Sequence, residues 1–107
     1  MDIVKFIKDE LNLEARAISE VAERIDSKIE DAIDLLFNCK SKVVVTGMGK
    51  AGIIARKIAA TLASTGTTAI FLHAAEGIHG DLGLLNKDDV VIAVSNSGNT
   101  NELTSII

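Results

Sequence analysis

The residues of this chain that can do chemistry lie mainly in two polar stretches, each directly after an apolar, largely β-branched run. The first, Gly47–Gly52, has the spacing Gly-x-Gly-x-x-Gly and holds one cation, Lys50. Glycine lets the backbone turn sharply and lets a ligand approach it, and the N–H groups that begin a helix favour an anion. An alanine-rich helical pattern follows at once. The sequence therefore predicts a phosphate-binding turn, with Gly47 and Gly49 at the ligand.

The second stretch, Ser95–Thr100, follows the apolar run Asp89–Val94. Its three hydroxyls, together with the backbone N–H groups of a new helix, can donate several hydrogen bonds to one phosphate without a fixed charge. Asn99 and Glu102 have the spacing of a helix N-cap and its capping-box partner, so a structural interpretation of this turn stays open. Its position relative to the glycine turn favours a second phosphate-binding loop.

Two histidines, His73 and His79, lie between these stretches, and the carboxylates Glu76 and Asp81 are close to them in sequence. Imidazole titrates near neutrality and serves as an acid, a base or a metal ligand. A histidine at a strand end is also often structural, so each histidine has both interpretations.

The elements that must position these residues follow from the apolar periodicity. Before the first strand, apolar residues recur at helical spacing, which predicts one long helix or two, with Asp26-Ser27 as a cap for the second. We expect part of this stripe to pack against another subunit, with packing inside the chain as the alternative. The stripe contains Ile3, Ile7, Leu11, Ile18, Val21, Ala22, Ile25, Ile29, Ile33 and Leu36.

The rest of the chain alternates strands and helices. Strands are predicted at Val43–Thr46, Thr68–His73 and Asp89–Val94, with a helix from about Lys50 to Ser64 and an irregular stretch over Ala74–Leu85. The predicted inner face of the helix contains Ala51, Ile54, Ala55, Ile58, Ala59, Leu62 and Ala63. This order is typical of a parallel sheet in an α/β layered fold, where ligands bind outside the carboxyl ends of the strands. Lys50, both histidines and the serine stretch fall at that edge. Three strands make a small sheet, so we expect the chain to be the front part of a larger domain.

Composition limits the function classes. The chain has 107 residues, 48% hydrophobic and 24% charged, with a net charge of −4. This describes one globular domain and argues against a nucleic-acid surface, which needs clustered Lys and Arg. The N-terminus mixes acids and bases among apolar residues, so we expect no secretory signal, no membrane span and a cytoplasmic location. Cys39 stands alone, and we interpret it as a small, partly buried residue.

Two familiar phosphate-binding motifs fit poorly. The glycine spacing matches the dinucleotide-binding fingerprint, but that motif needs an acid at the end of the next strand to hold the ribose. The predicted strand ends in Phe71-Leu72-His73, and the nearest acid, Glu76, lies beyond it. A Walker A loop is excluded because no Ser or Thr follows Lys50. NAD therefore stays a minor alternative.

Four motifs together point to a family. They are Gly47–Gly52, Ala63–Thr67, His79–Gly83 and Ser95–Gly98 with Glu102. Over about residues 42–102 they resemble the sugar isomerase (SIS) domain of D-arabinose 5-phosphate isomerases. The departures are Ala51, where Ser is common, and Asn99–Asn101, where Glu-Ser-Ser is common.

The resemblance implies interconversion of D-arabinose 5-phosphate and D-ribulose 5-phosphate through an enediol, with no redox cofactor. Lys50 and Glu102 would be catalytic, with the proton-transfer base left open between Glu102 and groups outside this chain. His73 matches a family position that contacts an inhibitory zinc ion. The substrate-binding residues would be Gly47, Gly49, Gly66, Thr67, His79, Ser95, Asn96, Ser97, Gly98 and Thr100.

The resemblance also implies an organisation: residues 1–41 as an N-terminal helical segment and residues 42–107 as the first part of the sugar-phosphate-binding α/β domain. Family members are oligomers and continue past this point. A non-catalytic sugar-phosphate sensor is the alternative from another class, and a hexulose phosphate isomerase and an amidotransferase isomerase domain are alternatives among enzymes. The pathway stays open among lipopolysaccharide sugar synthesis, capsule formation and sugar alcohol use.

Overall fold

The computed structural model of the chain describes residues 1–74 and 81–96. The chain divides by its contacts into two compact units, Met1–Asp34 and Leu35–Ile107. The division falls a few residues before the predicted boundary between residues 41 and 42. In the described ranges, no helix is long and apolar enough to cross a membrane.

The N-terminal stripe folds as two helices, α1 at Ile3–Arg24 and α2 at Lys28–Phe37. An aspartate precedes each helix. Asp2 is the N-cap of α1 and accepts a hydrogen bond from the Lys5 backbone N–H at 3.0 Å, and Asp26 accepts from the Lys28 N–H at 2.9 Å. These bonds satisfy N–H groups that the first turn of a helix leaves unpaired. Of the two alternatives, the structure has the break near Asp26-Ser27.

The apolar side chains of α1 and α2 are exposed except for Leu36, which is half-buried and packs against the core of the second unit. Neither helix contains a buried residue. Ile18, for example, is 72% exposed and Leu11 is 61% exposed. An apolar stripe of this length is more typical of an interface than of a solvated surface. The expected packing against another subunit stays a prediction.

A three-stranded parallel sheet forms the centre of the second unit. Its strands are β1 at Val43–Gly47, β2 at Ala69–His73 and β3 at Val90–Val94, in the order β2-β1-β3. Helix α3, at Gly49–Ser64, connects β1 to β2. The α/β layered fold with parallel strands is therefore confirmed. β1 is the central strand, and Gly47 at its end is in register with His73 and Val94.

The core lies between α3 and one face of the sheet. Val43 and Val45 pack against Ala55 and Ala59, while Phe71, Ile92 and Val94 are among the half-buried residues around them. Burial of these small side chains requires close contact between helix and sheet, which the alanines of α3 permit. Val43, Val44, Val45 and Thr46 are all fully buried.

The predicted inner face of α3 was wrong at two positions. Ile54 is 55% exposed, because the buried positions of the helix are Gly52, Ala55 and Ala59, and Ile54 lies on another side of the helix. Ala63 is exposed as well. The helix is about 24 Å long and each strand about 16 Å, so the last turn of α3 extends past the sheet.

The beginnings of the strands form the amino edge of the sheet, where one carboxylate joins three backbone segments. The Asp89 side chain, 1% exposed, pairs with the Lys42 Nζ at 2.8 Å and accepts from the backbone N–H groups of Asn86 at 2.7 Å and Lys42 at 3.3 Å. The Lys42 ammonium, followed by the bonds from Ser41 and Asn86, holds the pKa of Asp89 well below its usual range. These bonds fix the start of β3 to the start of β1.

Some predicted local structure is only partly described. Asp81–Leu84 forms a single 3₁₀ turn, in line with an irregular stretch after β2. Residues 75–80 and the helix predicted to begin near Asn99 lie outside the described residues. Cys39 is half-buried, as predicted, with its Sγ 3.5 Å from the Lys42 carbonyl oxygen.

Candidate functional site

The glycine turn sits at the carboxyl edge of the sheet, between β1 and the start of α3. Met48 is the N-cap of α3 in an extended conformation and makes no side-chain capping hydrogen bond. Gly49 follows with φ +56°, a left-handed conformation that favours glycine. Met48 therefore leaves the first N–H groups of α3 without a cap from its side chain, and such groups bind anions at helix N-termini.

The three glycines of the turn have different roles. A Cβ on Gly47 would lie 3.0 Å from backbone atoms of Ala51 and Val94, and one on Gly52 would lie 3.0 Å from the Gly47 carbonyl oxygen. These two glycines let β1 and α3 approach each other. A Cβ on Gly49 would meet no described residue within 4 Å. Among the described residues, Gly49 is therefore the glycine of the turn that leaves space for a ligand.

The charges at this turn are unusual for a helix start. Lys50 is exposed in the first turn of α3, and that turn contains no acidic residue. The N-terminal end of a helix carries a partial positive charge, so a cation there lowers helix stability slightly and an anion raises it. No described residue pairs with Lys50. The arrangement therefore has the electrostatics of an anion site.

Two further predicted residues reach the same edge from the flanking strands. His73 ends β2 and is in register with Gly47, and Ser95 directly follows Val94, the β3 residue in register with Gly47. Both side chains are half-buried. Asn96 is exposed beyond Ser95. The carboxyl edge thus brings together Gly47, Gly49, Lys50, His73, Ser95 and Asn96.

Gly66 and Thr67 lie at the other edge. Because α3 runs back along the sheet, the residues after it precede β2 at the amino edge, roughly one strand length of about 16 Å from the glycine turn. Gly66 ends the helix with φ +102°, and the Thr67 N–H donates to the Leu62 carbonyl at 2.9 Å. The two residues line a cavity of about 330 Å³ together with Cys39 and Ser41. Within one chain, the structure does not bring Gly66 and Thr67 to Lys50.

The remaining predicted site residues lie outside the described residues. They are His79, Ser97, Gly98, Thr100 and Glu102. Across the two described ranges, no group of three or more His, Cys, Asp or Glu side chains could hold a metal ion. His73 is therefore not part of such a group in these ranges.

The sequence analysis missed a set of ring contacts next to the glycine turn. The Arg56 guanidinium carbon lies 4.5 Å from the centre of the Phe71 ring, and the Phe71 and His73 rings meet at 81° with centres 6.2 Å apart. The alternation of side chains along a strand could have indicated the second contact, because residues 71 and 73 share one face of β2. The contact with Arg56 needed the tertiary structure.

Comparison with known proteins gives consistent results. The family model of the SIS domain matches residues 35–107. The chain is 49% identical over 100 residues to the arabinose 5-phosphate isomerase KdsD of Escherichia coli K12, which covers 94% of this chain and 30% of the relative. It is 46% identical over 107 residues to KdsD of Pseudomonas aeruginosa, covering all of this chain and 33% of the relative. The chain spans about a third of the length of these curated relatives.

Among solved structures, the chain is similar to the c3406 protein of E. coli CFT073 in complex with arabinose 5-phosphate. The TM-score is 0.92 at 48% identity, and the match covers 98% of this chain and 56% of the other.

Proposed function

Because the chain belongs to the SIS domain family, we propose that it is the first part of a phosphosugar aldose–ketose isomerase. The proposed reaction interconverts D-arabinose 5-phosphate and D-ribulose 5-phosphate. Its strongest support in the structure is the start of α3, where an exposed lysine and N–H groups that the Met48 side chain does not cap lie at the carboxyl edge of the sheet. The names of the relatives and the arabinose 5-phosphate complex of a similar structure support the choice of sugar.

In this proposal the glycine turn and the serine stretch both bind the phosphate group of the substrate. The N–H groups at the start of α3 and the hydroxyl of Ser95 donate to the anionic group, because both lie at the same sheet edge. Lys50 adds the positive charge. A backbone site of this kind needs few basic residues, which suits a chain with a net charge of −4.

The chemical step needs an opened sugar, a proton moved between C1 and C2, and stabilisation of the enediolate that forms in between. A cation held near the oxygen that gains negative charge lowers the barrier, and Lys50 is proposed as the catalytic cation, with its place left open between this oxygen and the phosphate. Glu102 is proposed as the second catalytic residue. The proton-transfer base is Glu102 or a group outside this chain. The isomerisation is redox-neutral overall, so no redox cofactor is required.

We propose that His73 contacts an inhibitory zinc ion, as the resemblance implies. Among the described residues, His73 belongs to no group of three or more His, Cys, Asp or Glu side chains that could hold a metal ion. No step of the proposed reaction passes through a metal. Inhibition by zinc that is lost in His73→Gln would support the proposal, and unchanged inhibition would contradict it.

We also propose that the protein is a homo-oligomer. The support is the uncovered apolar stripe of α1, in which Ile3, Leu11 and Ile18 are more than 60% exposed. Light scattering should give the mass of a dimer or tetramer, and Leu11→Glu with Ile18→Glu should lower it. A monomeric mass for the unmodified protein would contradict this proposal.

The function itself is tested by ligand binding followed by turnover. A ligand that binds only the folded protein raises its thermal midpoint, by an amount that grows with concentration over Kd. We expect D-arabinose 5-phosphate to raise the midpoint more than inorganic phosphate does. A rise with NAD alone would contradict the isomerase proposal. Binding of the sugar phosphate without turnover in the full-length protein would favour the alternative, a non-catalytic sensor.

A further inference from the structure

Three side chains connect the middle of α3 to the carboxyl edge of the sheet. The guanidinium of Arg56 lies over the ring of Phe71 at 4.5 Å, and that ring meets the imidazole of His73 nearly at right angles, with centres 6.2 Å apart. Both distances are in the range where such pairs attract. The Arg56 guanidinium over the Phe71 ring and the His73 ring beside it restrict the positions that the Phe71 ring can take.

His73 lies at the carboxyl edge of the sheet, close to the glycine turn. His73 is the last residue of β2, an edge strand, and is in register with Gly47 at the glycine turn. Neighbouring strands lie about 4.8 Å apart, so the His73 side chain lies to one side of an anion bound at the glycine turn. From there it reaches the rest of the ligand molecule that carries the anion, and not the anion itself. Half-buried and in contact with Phe71, the imidazole is limited in its orientations.

We propose that Phe71, supported by Arg56, is a positioning residue that holds the His73 imidazole at the carboxyl edge, where it contacts the sugar part of the bound sugar phosphate. The sugar contact rests on the proposed function, whereas the positioning does not. Phe71 acts only through His73.

The positioning is tested without any ligand. The chain has two histidines, so its imidazole proton NMR signals are few, and His73→Gln assigns them. Phe71→Leu should shift the His73 signals, and Phe71→Tyr should leave them close to their original positions. Arg56→Gln, at an exposed position, should shift them less, and Lys57→Gln, the neighbouring exposed charge, should not shift them. Unmoved His73 signals in folded Phe71→Leu and Arg56→Gln would overturn the inference.

The sugar contact is tested by binding of D-arabinose 5-phosphate to the protein. His73→Gln and Phe71→Leu should each weaken it about ten-fold, the size of one lost hydrogen bond, and Phe71→Tyr should retain it. The double variant should bind no more weakly than His73→Gln alone, because positioning has no effect once the imidazole is gone. Additive losses would show a merely structural Phe71 and overturn the inference. If the unmodified protein does not bind the sugar phosphate, the proposed function and the sugar contact fail together, and the NMR result still decides the positioning.

Discussion

The two edges of the sheet differ in how their polar groups are paired. At the amino edge a buried carboxylate pairs with a lysine and two backbone N–H groups, so the polar groups there are satisfied within the chain. At the carboxyl edge the Met48 side chain does not cap the helix start, and neither a Cβ on Gly49 nor the exposed Lys50 side chain meets a partner among the described residues. Lys42 lies directly before β1 and is paired, whereas Lys50, after the end of β1, has no described partner.

The difference shows how a small sheet separates stability from binding. Donors that are already paired cannot serve a ligand, whereas donors left unpaired reduce stability until a ligand arrives. Substitutions at the amino edge should therefore change unfolding, and substitutions at the exposed part of the carboxyl edge should change binding. The largest effect on unfolding is expected at the amino edge.

Asp89→Asn should give the largest fall in the thermal midpoint. The substitution leaves the Lys42 ammonium, whose side chain is only 18% exposed, without its counter-charge, and loss of one partner from a buried ion pair is among the most destabilising single changes. Asp88→Asn, one residue earlier and exposed, is the matched control and should unfold as the original protein does. Equal midpoints for the two variants would contradict the role given to the amino edge.

The same ion pair should make the stability of the protein depend on pH in the acid range. Since Asp89 has a folded-state pKa below its ordinary value of 3.8, its stabilisation is fully present above that value and is lost as the pH falls below it. The gap in midpoint between the original protein and Asp89→Asn should therefore be constant near neutral pH and shrink as the pH decreases below about 3.8. A gap that widens in acid would have the wrong sign for this pair.

Gly47→Ala should be the most destabilising change at the carboxyl edge, by about 1–3 kcal/mol, because the new Cβ would press on the backbone of α3 and of β3. Gly83→Ala is the control, since a Cβ there meets no described residue within 4 Å. Chemical denaturation of both variants measures the difference. A Gly47→Ala protein as stable as the control would show that β1 and α3 can separate at the turn.

Lys50→Ala should change binding and leave stability nearly unchanged. Loss of one charged donor should weaken D-arabinose 5-phosphate about ten-fold, while the free energy of unfolding should change by less than about 0.5 kcal/mol, because a cation at a helix start contributes no stability there. Lys57→Ala, exposed on the same helix, should change neither quantity. Unfolding of Lys50→Ala at a clearly lower midpoint would remove the distinction between the two lysines.

The sequence predicts one edge much better than the other. The glycine turn could be found because the apolar run, the glycines and the alanine-rich helix are adjacent in the chain. The ion pair of the amino edge joins residues 47 positions apart, and nothing local distinguishes Asp89 from Asp88. Gly66 and Thr67 were carried over from motifs alone, which record that residues bind a ligand but not at which edge of one chain they lie. Ile54 was misplaced because apolar residues occur on several sides of α3, including the consecutive Ile53-Ile54-Ala55, so periodicity alone could not identify the side that packs.

The smallest effect is expected at Thr46, which lies in β1 just before the glycine turn. Its hydroxyl is fully buried and has no hydrogen-bond partner among the described residues, which costs free energy that an apolar side chain of the same shape would not. Thr46→Val should therefore raise the free energy of unfolding, by up to about 1 kcal/mol. Thr46→Ser keeps the hydroxyl, removes the methyl group and should lower it. The carboxyl edge thus retains a polar group that the fold itself does not need. If Thr46→Val were instead less stable than the original protein, the hydroxyl would be part of the folding core and the contrast between the edges would begin only at Gly47.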